Sequence, residues 1–132
     1  MPINFVPERG RILICDYDMA RVSPEIDKVR RAVVVSPRSY NHRHGAGPGR
    51  CLVVPFSATA PHAATPADVP FAAGKYETLT VDTWAVCTAI MNVSHSRLTR
   101  VFIGHGNYSG ESLDANDLKK VEEGLKHALG FP

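Results

Sequence analysis

No run of apolar residues in this chain approaches the ~18 needed to cross a bilayer, so a membrane-spanning helix is not expected. The first ten residues include Pro2, Pro7, Glu8 and Arg9 and hold no continuous apolar stretch. A secretory leader is therefore not expected, and a cytoplasmic protein is. Cysteine is scarce: Cys15, Cys51 and Cys87 lie far apart, form no C-x-x-C, and show no Cys/His zinc spacing. They read as reduced core thiols, and neither a metal nor another cofactor is expected. The glycines form no dinucleotide fingerprint and no phosphate-binding P-loop, which disfavours a nucleotide-cofactor enzyme. Internal repeats are missing as well.

What is there is an ordinary globular composition: 132 residues, 44% hydrophobic and 21% charged. A chain of this length folds as one domain, 1–132, and buries about two-thirds of its unfolded surface. The net charge of +2 is unevenly spread. Residues 21–50 hold Arg21, Lys28, Arg30, Arg31, Arg38, Arg43 and Arg50 against Glu25 and Asp27, with His42 and His44 in the same stretch. Such a basic segment on a nearly neutral chain points to an anionic partner, nucleic acid first.

Short apolar, β-branched runs predict strands at Arg11–Tyr17, Ala32–Ser36, Cys51–Phe56, Thr78–Val81 and Thr83–Met91. Trp84, Val86 and Ile90 share a parity in the last of these, with Trp84 and Phe56 expected in the core. Met19–Val29 and Ala58–Ala73 read as irregular. Asn41–Gly49 and Gly104–Gly110 are glycine-rich loops, and Ser94–Leu98 is a helical turn. The clearest helix follows Asp114 as its cap, with Leu113 and Leu118 at the staple positions. Its apolar face is Leu118, Val121, Leu125, Ala128 and Leu129, and Gly130 ends it. Gly124 weakens the middle by about 1 kcal/mol relative to alanine, so packing must hold the helix there. Several short strands and one C-terminal helix give a mainly β (α+β) fold, a small antiparallel barrel or curled sheet.

Pro24-Glu25-Ile26-Asp27-Lys28-Val29-Arg30-Arg31-Ala32-Val33-Val34-Val35-Ser36 resembles the PE-M-x-K-x-R-P-V-V-V-x-S signature of PemK/MazF toxins. Gly10-Arg11-Ile12 and Cys15-Asp16-Tyr17-Asp18 resemble that family's first strand. Val53-Val54-Pro55-Phe56-Ser57 resembles its V-V-P-x-[ST] strand, and Trp84-Ala85 through Arg97-Leu98 its W-A-x-x-D…RL segment. The resemblance implies an SH3-like barrel with a C-terminal helix and a homodimer. It also implies the toxin of a type II toxin–antitoxin pair: a metal-independent endoribonuclease on single-stranded RNA, restrained by a cognate antitoxin.

On the same resemblance Arg30 is the catalytic arginine, Ser57 a hydroxyl donor to the scissile phosphate, and Glu25 an acid that orients Arg30 or accepts a proton. An arginine suits the task because its planar fork binds phosphate bidentately and stays charged. Arg30 could equally be an ion-pair partner of Glu25 or Asp27, Ser57 a strand-end hydroxyl, and Glu25 a loop-shaping residue. Arg31, Lys28, Tyr17, His42 and His44 are candidate RNA contacts, with Tyr17, Tyr40 and Phe56 able to stack on bases.

Two departures stand out. The proline expected after the arginine is Arg31, and the strand acid of W-A-x-x-D is Thr88, with Val86 at the neighbouring basic position. The missing acid leaves His42, His44, His62 and His105 as candidate proton acceptors; His95 and His127 fall on or near helices. It also keeps open a catalytically weak or silent relative that only binds RNA or antitoxin. A gyrase-targeting toxin of the same fold is disfavoured because the chain ends Gly130-Phe131-Pro132 rather than in a Trp-Gly-Ile type of sequence.

Overall fold

The computed structural model describes residues 1–18 and 22–132, so Arg21 of the basic segment lies outside the described residues. Three strands form the centre: β1 (Ile12–Asp16), β2 (Val29–Val34) and β3 (Arg50–Ser57). They are flanked by β4 (Asp68–Phe71), β5 (Thr83–Val86), β6 (Met91–Ser94) and β7 (Leu98–Thr99). The order is β4-β5-β3-β2-β1-β7, with β6 also on β3 and every pairing antiparallel. One 3-10 turn, His95–Arg97, joins β6 to β7. The chain thus comes round from β3 through β6 and β7 to β1 and back to β3 by a covalent step, and the hydrogen-bonded ladder stays open there. The expected barrel is a curled, open sheet with a C-terminal helix. No helix among the described residues is long and apolar enough to cross a membrane.

Alternation along the strands gives the sheet two apolar faces. One carries Leu13, Cys15, Ala32, Val34, Cys51, Val53, Val93 and Leu98. The other carries Ile12, Val33, Val54, Phe56, Ala85 and Cys87 and is closed by α1 (Ala115–Leu129). All three cysteines are free and buried. The Asp114 side chain accepts the Asp117 N–H at 2.8 Å to cap α1, and Gly130 ends it in the left-handed conformation, φ 75°. Gly124 faces Cys87 and Val69 so closely that a Cβ would stand 2.7 Å from Cys87 Sγ and 2.8 Å from Val69 Cγ2. Glycine is there for contact between helix and sheet.

A second tie holds the start of α1. The Asp117 carboxylate, 3% exposed, receives Lys75 Nζ at 2.6 Å, and the Tyr76 hydroxyl donates to it at 2.7 Å. Burial works against its charge, but the ammonium and the hydroxyl outweigh that and hold the carboxyl below the ordinary aspartate range.

Several local expectations change. β2 begins at Val29, three residues before the expected Ala32, and so includes both arginines. The stretch Thr78–Val81 is not a strand: the Glu111 carboxylate takes the Glu77 N–H, the Thr78 N–H and the Thr78 hydroxyl, so this backbone needs no sheet partner. Ala58–Ala73 contains β4, whose Pro70 is tolerated because β4 is an edge. Gly104–Gly110 is partly a hairpin, β8 (Phe102–Gly104) with β9 (Asn107–Tyr108), and Thr83–Met91 is broken by a 3-10 turn at Cys87–Ala89. Trp84 is half-exposed, because Thr83, Ala85 and Cys87 form the buried parity that turns inward. Leu129, expected on the apolar face of α1, is exposed, while Leu118, Leu125 and Ala128 pack on the core.

Two outcomes follow from this packing. Gly124→Ala, although it raises helix propensity, lowers stability by about 1–3 kcal/mol through overpacking against Cys87 and Val69, read by urea denaturation. The stability contributed by Asp117 is present above the ordinary aspartate range and is lost as pH falls through its lowered value. Asp117→Asn therefore flattens the acid limb of a Tm-against-pH curve.

Candidate functional site

β2 stays on β1 as far as the Val29–Asp16 pair, but its ladder with β3 ends at Ala32–Pro55. Where the strands part, a cleft of about 160 Å3 opens between Val29–Arg31, Phe56, Ala58, Leu79–Val81 and Thr83. Its lining mixes apolar and polar groups about equally, and its charge is positive. Consecutive strand residues point to opposite faces, yet both Arg30 and Arg31 reach this cleft because β2 has no β3 partner here.

Arg30 and Ser57 each lie two residues past the last β2–β3 pair, Ala32–Pro55, on the two strands that part there. Arg30 is the more tightly held. Its Nε donates to the Asp27 carbonyl at 2.7 Å and its Nη2 to Asp27 Oδ1 at 3.3 Å, with the side chain 20% exposed. Ser57 Oγ accepts the Thr59 N–H at 3.2 Å and donates to the Thr59 carbonyl at 3.4 Å, a weak bond that a better acceptor can replace. Ser57 sits between two cleft residues, Phe56 and Ala58.

The remaining candidates fall in other places. Glu25 does not hold Arg30: its Oε1 accepts the Val22 N–H at 2.6 Å, and its side chain lines a separate depression of about 310 Å3 with Thr88. Asp27, three residues before the arginine, does the orienting instead, a signal that the i,i+3 spacing carried. Lys28 is exposed beside the cleft, with its backbone in the left-handed region (φ 71°) and its N–H bound to Asp18 Oδ1 at 2.7 Å. Tyr17 is 1% exposed, packed with Cys15 and Leu13, and its ring cannot stack on a base; burial pushes its phenol far above the ordinary range. Phe56 is likewise core, whereas Tyr40 is exposed.

His42 and His44 are exposed but precede β3, at the end opposite the cleft. Seven steps along β3 at ~3.3 Å each put them about 23 Å away, too far to take a proton at Arg30 within one chain. His62 and His105 are exposed in the 58–66 segment and the β8–β9 turn. His95 is fully buried, its Nδ1 accepting the Gly49 N–H at 3.2 Å, and burial lowers its pKa. The basic run is thereby split: Lys28, Arg30 and Arg31 gather at the cleft, while Arg38, Arg43 and Arg50 lie at the far end of β3. Arg43 there is bound to the Ile3 and Ala46 carbonyls.

Among the described residues, no group of three His, Cys, Asp or Glu side chains is arranged to hold a metal ion. The arrangement offers a fixed guanidinium, a second arginine and a replaceable hydroxyl around a small positively charged cleft, which suits a phosphodiester.

Residues 8–129 match the family described as PemK-like, MazF-like toxin of type II toxin–antitoxin system. Solved structures are similar over nearly the whole chain. MazF from Deinococcus radiodurans shares 21% identity at a TM-score of 0.70, covering 96% of this chain and 99% of its own. An endoribonuclease from a mycobacterial species shares 22% at 0.63, covering 97% and 95%. A mycobacterial endoribonuclease in complex with its cognate antitoxin shares 20% at 0.64, covering 96% and 97%. These likenesses speak to the fold. No curated protein matches the sequence.

The geometry separates the two acids. In side-chain 15N NMR, Asp27→Ala, which removes the Nη2 contact and keeps the backbone carbonyl bound to Nε, is expected to speed rotation about the Arg30 Nε–Cζ bond, and Glu25→Ala to leave it unchanged.

Proposed function

The chain belongs to the PemK-like, MazF-like toxin family of type II toxin–antitoxin systems, and on that premise we propose that it cleaves single-stranded RNA by transesterification without a metal ion. The observation that carries this reading is the Arg30 guanidinium, fixed by residue 27 at the cleft, with Ser57 between two residues that line it. The ribose 2′-oxygen attacks the adjacent phosphorus, the bond to the 5′-oxygen breaks, and the products are a 2′,3′-cyclic phosphate and a 5′-hydroxyl. The Arg30 guanidinium, aimed in advance by Asp27, stabilises the charge that gathers on the phosphorane oxygens. Ser57 gives up its long bond to Thr59 and donates to a non-bridging oxygen. The 2′ proton passes to Asp27 Oδ2, the carboxylate oxygen that Arg30 does not use, and water protonates the leaving oxygen.

Lys28 and Arg31 contact flanking phosphates in this reading. The active form is a cytoplasmic homodimer, and the cognate antitoxin inhibits it by laying an acidic segment over the same cleft. The mycobacterial relative solved with its antitoxin supports such a partner. A binding-only protein is the second reading, and Thr88 in place of an acid favours it.

One assay decides between them. Wild-type protein with long single-stranded RNA in EDTA gives cyclic-phosphate products, and Arg30→Ala loses about 100- to 1,000-fold in rate, the cost of removing one charge-stabilising donor. Ser57→Ala loses about tenfold or more. Asp27→Asn keeps an acceptor for Arg30 but removes the base, so its rate falls while RNA affinity holds. Intact RNA with the wild-type protein, or equal rates for wild type and Arg30→Ala, overturns the nuclease reading.

A further inference from the structure

Arg31 stands where the resembling family has proline, and the cleft gives it a partner that no motif marks. Its Nε is shielded from water and bonded to nothing, and the described residues offer it no ion pair. Thr83 lines the same cleft, is 6% exposed, and also holds a hydroxyl with no hydrogen-bond partner. Buried polar atoms are almost always satisfied, so two unsatisfied ones on one small cleft call for a group brought in from outside. The two are complementary: a guanidinium can only donate, and a hydroxyl donates to an anion readily. Among the residues lining the cleft, which include Val29 and Val81, both exposed, the arginines are the charged groups.

We propose that Arg31 and Thr83 form a second phosphate-binding subsite, which holds the RNA phosphate next to the one engaged by Arg30 and Ser57. This rests on the RNA reading above and adds to it a residue pair and a task, fixing the register of the strand on the protein. Arg31 and Arg30 are sequence neighbours that reach one cleft from a single strand, so the two subsites stand one after the other along the path of a polyanion. Arg30 is tied to residue 27 through one backbone carbonyl, at Nε, and one carboxylate oxygen, at Nη2. Thr83 is a positioning residue for the ligand, and its hydroxyl is retained at a cost to the fold, because a buried unpaired hydroxyl is destabilising.

The test uses a fluorescent, fully 2′-O-methylated RNA of mixed sequence, which cannot undergo 2′-oxygen attack. Binding is measured from low to high salt. Arg31→Gln keeps much of the side chain's bulk and removes its charge; it weakens binding about tenfold and lowers the slope of log K against log salt by about 0.7, one phosphate contact on a single strand. Thr83→Val also weakens binding severalfold, leaves the salt slope unchanged, and melts at or above the wild-type temperature. A merely structural threonine would lower the Tm and leave binding alone. An unchanged slope in Arg31→Gln, or unchanged affinity in Thr83→Val, overturns the subsite. So does an affinity loss seen with a poly-glutamate peptide and not with the RNA, which would assign the cleft to an acidic protein segment. Failure of the nuclease reading shows separately, as intact unmodified RNA in the cleavage assay.

Discussion

The parting of β2 from β3 after the Ala32–Pro55 pair is the constraint on which the cleft depends. Pro55 has no N–H to give to a ladder. It falls where β3 changes partners on its other edge, from β6 through Val53 to β5 from Phe56 onward. A strand that turns from one neighbour to another bends, and β2 continues on β1 alone. Arg30 and Arg31 are then strand residues with fixed backbones and an unfilled flank. That combination gives a charged group precision without burying it.

The opposite wall is held from a distance. Leu79–Val81 lack a ladder of their own, and their position comes from carboxylates on the far side of the chain. Glu111 binds the Glu77 and Thr78 N–H groups, the Leu79 carbonyl accepts the Gly74 N–H at 3.0 Å, and Asp117 grips Lys75 and Tyr76. The helix that caps one core face therefore also sets the wall of the cleft. The wall is thus held by hydrogen bonds that backbone amides donate to Glu111 and by the Asp117 contacts to the Lys75 and Tyr76 side chains.

The sequence carried the central strands, the helix and its cap because each has a local cause: β-branched runs, the Asp114 side chain, and apolar spacing on α1. It misplaced the elements whose causes are remote. Thr78–Val81 has strand-like residues, yet Glu111, more than thirty residues away, decides its conformation. Trp84 looks like core by size, while the position of α1 over Ala85 and Cys87 decides which parity turns inward. At the site, motif order picked out Arg30 and Ser57, which lie just past the last β2–β3 pair on the two parting strands. It assigned the orienting acid to Glu25 because Glu25 is in the signature; the fold uses Asp27, one helical-type step before the arginine. Thr83 carried no signal at all, since an unsatisfied hydroxyl is a property of packing and not of spacing.

The charge distribution changes meaning once it is folded. A linear segment of seven basic residues suggests a single patch, but β3 separates Lys28, Arg30 and Arg31 from Arg38, Arg43 and Arg50 by about 23 Å. The Debye length in physiological salt is ~8 Å, so each cluster is nearly blind to the other. A small anion meets one cluster and gains only from it. A polyanion long enough to span both gains from each, and its affinity falls more steeply with salt than either cluster alone would dictate. The proposed ligand, an extended chain of phosphates, fits that split better than a compact charged ligand would, and the fixed guanidinium at the cleft adds position to charge.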